Sequence, residues 1–63
     1  MKLVVFENAI DANTIVAINP EMVSEVIPHR TDLSQTLIRM VNRVEHIVRG
    51  EFPVVASRLE DGE

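Results

Sequence analysis

The 63-residue chain has no cysteine, tryptophan or tyrosine, and only two Gly, three Pro and two Phe. Without cysteine there is no disulfide to staple a small fold, no thiolate metal site and no cysteine nucleophile. With Gly50 and Gly62 alone, no glycine-rich loop that cradles a phosphate can be written. Long apolar runs are also missing. Leu3-Val4-Val5-Phe6 is among the longest, against the roughly 20 residues a bilayer-spanning helix needs. Met1-Lys2 and that run are too brief for a secretion signal. The expectation is a cytoplasmic protein with no membrane segment.

What is present is 46% hydrophobic residues, 25% charged residues and a net charge of -4, a balance that does not suit full disorder. The length allows one domain, residues 1–63, at the low end of what folds alone. Ordering costs about 1.5 kcal/mol per residue, and burial barely offsets that in so small a chain. The apolar side chains are mainly Val, Ile, Leu and Met. Such a chain is expected to complete its core against a second copy, as a homodimer or higher homo-oligomer.

Several segments read directly. Lys2–Glu7 and Thr14–Ile18 are β-branched runs separated by a polar turn, and they are expected to pair as a hairpin. Asn19-Pro20-Glu21 has the capping residue, first-position Pro and first-turn acid of a short helical turn. Residues 22–27 suit one helical turn or a strand, closed by Pro28. Residues 51–60 read as a short C-terminal helix with Pro53 in its first turn.

Residues 33–49 admit two readings. On a helical wheel Leu33, Leu37, Met40, Val41, Val44, Ile47 and Val48 fall within an arc of about 120°. Asp32 with Gln35 has capping-box spacing, and Gly50 stands where a helix would end. Against this, Ile38, Val41, Val44, Ile47 and Val48 are β-branched and suit a sheet. The strand reading pairs 36–41 with 44–48 around a turn at Asn42-Arg43, where Arg tolerates the left-handed conformation poorly. The fold class expected is α+β, mostly β: an antiparallel sheet of about five strands with a short C-terminal helix. The alternative is antiparallel strands packed on a helix at about 33–49.

The succession Thr14-Ile-Val-Ala-Ile-Asn-Pro-Glu-Met-Val-Ser-Glu-Val-Ile-Pro, Thr36-Leu-Ile-Arg-Met, Val44-Glu-His-Ile-Val-Arg-Gly-Glu-Phe and Ser57-Arg-Leu-Glu60 resembles a diffuse group of small bacterial and phage proteins. That group includes the flagellar FlbD-like family. The resemblance covers residues 14–60 and rests on hydrophobic pattern. It implies a strand, Asn-Pro, a second strand, a hairpin and a C-terminal helix, with no assigned biochemical role and no site residues carried over. The chain departs from the group at Asn42-Arg43, where Asn-Gly or Asp-Gly is usual, in a longer polar insert at 29–35, and at Pro53. A second likeness, in architecture, is to the carbon storage regulator family of small RNA-binding dimers; the acidic net charge departs from it.

Chemistry is sparse. His29 and His46 are 17 positions apart, without metal-ligand spacing, so neither metal nor cofactor is expected. Ser24, Ser34 and Ser57 lie in no nucleophile motif. Glu21 and Glu25 would share a helical face as solvated carboxylates. The chain is therefore expected to be non-enzymatic: an accessory or regulatory protein-protein interaction module that self-associates. Its partner or oligomer face is expected at Leu37, Val41, Val44 and Val48. Charge supplies the alternative. Arg30, Arg39, Arg43 and Arg49 cluster in the middle of an otherwise acidic chain. Arg39, Arg43 and Arg49 are the candidate contacts of a nucleic-acid-binding regulator. The competing reading of the same arginines is that they meet acids of their own fold.

Overall fold

The computed structural model describes residues 2–11 and 13–63. The elements are β1 (Val4–Glu7), β2 (Ile15–Ile18), a 3-10 turn (Pro20–Met22), β3 (Val23–Pro28), β4 (Gln35–Met40), β5 (Glu45–Arg49) and helix α1 (Phe52–Asp61). Both sheets are antiparallel, a two-stranded β1-β2 and a three-stranded β3-β4-β5. This is the mostly β, α+β fold with about five strands. The helix considered for 33–49 does not form; the segment is the β4-β5 hairpin.

The first hairpin pairs Val4 with Ile18 and Phe6 with Val16, so strand alternation sends these four to one face. Asn8 organises the turn. Its side-chain oxygen accepts the N–H groups of Ile10 (2.7 Å) and Asp11 (3.0 Å). Asp11 then accepts from Asn13 N and Thr14 Oγ1. The Thr14 bond, with that of Asn13, holds the Asp11 carboxyl below its usual value. Ala12 of the expected turn lies outside the described residues. Beyond β1 the chain crosses to the other sheet. Asn8 bridges to Val48, and Ala9 N donates to Ile47 O at 2.9 Å.

Asn19 caps the 3-10 turn, accepting from Glu21 N at 3.0 Å, with Pro20 at its start. The turn ends within one step, and Glu21 and Glu25 share no helical face. Glu25 lies on β3, after an irregularity in pairing between Val23 and Glu25 that has the count of a bulge.

The β4-β5 turn explains how a hairpin forms without glycine. Arg43 N bonds Met40 O (2.9 Å) and Met40 N bonds Val44 O (2.9 Å). This is a β-turn followed by a left-handed residue. Arg43 occupies that position, with φ of 72°. Val44 N is held by Asn42 Oδ1 at 3.1 Å. A non-glycine residue there costs about 1–2 kcal/mol. Arg43→Gly is therefore expected to raise stability by about 1 kcal/mol, after allowing for the freer unfolded chain. A rise in the urea midpoint checks this; an unchanged or lower midpoint contradicts it.

The core lies between the two sheets and α1. Val4, Phe6, Ile18, Ile38, Val48, Val55 and Leu59 are buried, with Val16, Val23, Val26 and Met40 packed against them. Val55 and Leu59 are four apart on α1 and so share a face. Among the described residues Thr36 is the one buried polar residue, and its hydroxyl donates to Gly50 O at 2.8 Å. Gly50 turns the chain from sheet to helix with φ of 132°. Pro53 stands in the first turn of α1, and Gly62 closes it in the left-handed conformation, its N–H on Arg58 O. Arg58 braces the helix against the first hairpin. Its guanidinium lies 4.5 Å from the Phe6 ring centre and donates to Val5 O at 2.9 Å.

Candidate functional site

The outward face of β3-β4-β5 is built by strand register. Ile27 pairs with Leu37 and Leu37 with Ile47, so three apolar side chains form one row across the sheet. Alternation requires only the inward residues to be apolar, here Val26, Ile38 and Val48. An apolar row on the opposite face is extra to the core. The three remain partly exposed, and they border a hollow of about 390 Å³ closed at one side by Pro28, His29 and Arg30.

Two residues along β4 is a charged row. Arg39 pairs in register with Glu25 on one side and Glu45 on the other. Its Nη1 donates to Glu25, and its Nη2 and Nε reach Glu45 at 2.8 and 3.0 Å. The Glu45 hydrogen bond and the Glu25 charge push the Arg39 guanidinium above its ordinary range. Exposed pairs of this kind add little to stability. Their consequence is charge balance: two carboxylates against one guanidinium leave this row acidic by one.

Two residues along β4 in the other direction lies a third row, Gln35 in register with Arg49. His29 N bonds Gln35 O at 3.3 Å on the far side. Arg30 stands beside it at the hollow. The His29 Nδ1 accepts Asp32 N at 3.0 Å and Thr31 N at 3.3 Å, which fixes the loop. Asp32 lines a shallow depression with Arg49. Ser34 donates to its carboxylate, which lowers the Asp32 pKa. Arg49 is the one charged side chain of the His29-Gln35-Arg49 row with His29 neutral, so this row is basic by one.

The expected interface residues divide. Leu37 lies in the apolar row. Val41 and Val44 are exposed at 60% and 46%, at the hairpin end where Val41 N bonds Met22 O. Val48 is corrected: it is fully buried in the core and is not offered to a second chain. The wheel that grouped all four assumed a period of 3.6, and the period here is 2. Ile27 and Ile47 were missed because only register places them beside Leu37.

The candidate nucleic-acid contacts do not converge. Arg39 is engaged by two carboxylates, Arg43 sits at the turn, and Arg49 lies at the opposite end of the face. The reading in which arginines meet acids of the same fold is the one seen at Arg39. Among the described residues no three of His, Cys, Asp and Glu gather as a metal site, and no helix is long and apolar enough to cross a membrane. No protein-family model, curated protein or solved structure matches the chain.

Proposed function

We propose that the chain is a non-enzymatic interaction module that works as a self-associated unit, with the outward face of β3-β4-β5 as its contact surface. The observation that carries this is the Ile27-Leu37-Ile47 row, an apolar band on the face turned away from the subunit's core. The composition of the surface as a whole agrees with it. Seven apolar side chains are buried, while ten large hydrophobic ones are exposed among the described residues. Apolar surface of that extent on a small protein favours a partner. The element order is the one implied by the resemblance to the FlbD-like group, and we include kinship with that group, and its bacterial or phage setting, in the proposal.

Leu37→Asp tests it. The position is partly exposed, so the fold tolerates a carboxylate there. A charge in the middle of an apolar contact is expected to weaken self-association at least about tenfold. The measurement is light scattering after size exclusion, with circular dichroism as the check on folding. A folded variant that associates like the parent would exclude this face. The other reading, a nucleic-acid-binding regulator, gains less from the geometry because Arg39 is held within the fold. A mobility shift of RNA or DNA at low salt, lost in Arg43→Ala/Arg49→Ala, would favour it instead.

A further inference from the structure

Resting on that reading, we infer that the second occupant of the face is another copy of the same chain, turned so that its strands run antiparallel to the first. The two-fold axis lies along the Ile27-Leu37-Ile47 row, and Arg49 of each copy meets Glu45 of the other.

Symmetry and charge together select this arrangement. A dimer formed by one patch on itself has a two-fold axis, and for two sheets stacked face to face that axis lies in the plane between them. Two directions fit the rows of this face. An axis along the strands superposes each row on its counterpart in the partner, so Glu25 and Glu45 of one copy lie over Glu45 and Glu25 of the other. That arrangement stacks acid on acid.

An axis along the apolar row instead exchanges the two ends. The row then lies on itself, Leu37 on Leu37, and Ile27 and Ile47 each on its own counterpart. The Glu25-Arg39-Glu45 row comes to lie over the His29-Gln35-Arg49 row. On β5, Glu45 faces Arg49. On β3, Glu25 faces the His29-Arg30 end. On β4, Arg39 faces Gln35. Gln35 and Arg39 are equally spaced about Leu37 along the strand, about 13 Å apart, which this exchange requires. The Glu25-Arg39-Glu45 row is acidic by one and the His29-Gln35-Arg49 row is basic by one through Arg49, so only the second axis makes the face self-complementary.

The test uses two single reversals and their mixture. In Arg49→Glu, two like-charged pairs form in a homodimer, Glu against Glu45 on each side. In Glu45→Arg, two Arg-Arg pairs form. Each variant alone is expected to dimerise at least about tenfold more weakly than the parent. Mixed one to one, a subunit of each kind brings two complementary pairs together. The mixture is expected to recover parental affinity to within about threefold, by sedimentation or by energy transfer between labelled subunits. Circular dichroism confirms that each variant is folded. Singles that dimerise like the parent, or a mixture that stays as weak as its components, overturn this pairing. If Leu37→Asp still dissociates the parent dimer in that case, the face stands as the contact surface and only the orientation falls. A parent chain that is monomeric throughout removes both.

Discussion

Val48→Asp is expected to unfold or severely destabilise the protein rather than to release a stable folded monomer. Val48 is fully buried on β5, in register with Thr36 and bridged to Asn8 from the first hairpin. A carboxylate there has no cation within the core, and burying it unpaired costs several kcal/mol, whether it stays charged or takes up a proton. The lost valine packing adds to this. A chain of 63 residues has a total stability of roughly 3–9 kcal/mol. An expected loss of about 4–5 kcal/mol or more cancels that stability through the lower half of the range and removes about half of it at the top, with a large fall in melting temperature in either case. Circular dichroism and a thermal melt check it. A cooperative melt near that of the parent would contradict the placing of Val48 in the core. The contrast with Leu37→Asp, on the opposite face of the adjacent strand, is the sharper point. Two substitutions of the same chemistry should separate into one that breaks the fold and one that breaks association.

Gly50→Ala is expected to be the next most damaging, at about 3 kcal/mol. Two independent causes act. The φ of 132° lies where L-residues rarely go, at a cost of about 1–3 kcal/mol. A Cβ at this position would come within 3.0 Å of Val55 Cγ2, a core side chain with little freedom to move. The site is also where three elements meet: Gly50 N bonds Ser34 O at 2.8 Å, and Gly50 O accepts from buried Thr36. A shift of the backbone to relieve the new methyl would disturb both. Urea denaturation measures the loss. A midpoint within about 0.5 kcal/mol of the parent's stability would show that the turn from sheet to helix is more compliant than its geometry implies.

The local parts of the fold were legible. β-branched runs around a polar Asn-rich turn marked the first hairpin, and Asn19-Pro20 marked the short turn before β3. The C-terminal helix, expected over 51–60, lies at Phe52–Asp61. Residues 33–49 were ambiguous for a physical reason. Inward and outward apolar residues both occur on β4 and β5, so Leu37 and Ile47 on one face, with Met40 and Val48 on the other, mimic a helical stripe. The deciding property was β-branching. The absence of glycine at the turn misled, because Arg43 takes the left-handed position that glycine would hold at lower cost. Gly50, read as a helix end, serves instead as the corner between β5 and α1.

The candidate face was only partly legible, since it depends on register. Leu37 stood out as apolar, but nothing local places Ile27 and Ile47 beside it, or Glu25 and Glu45 on either side of Arg39. These neighbours come from three strands separated by two turns, and pairing across such distances is not written in short-range pattern. The same holds for the balance of charge. A cluster of central arginines looked like a basic strip, whereas pairing neutralises Arg39, and Arg43 at the β4-β5 turn lies at the opposite end of the face from Arg30 and Arg49.

The central claim is that this small aliphatic fold is completed by a second chain. Sedimentation equilibrium of the unmodified protein across the micromolar range tests it most directly. The account predicts a mass that rises with concentration from 7.1 kDa to twice that value. A mass that stays at 7.1 kDa over the whole range, for a protein with a cooperative melt, would contradict it.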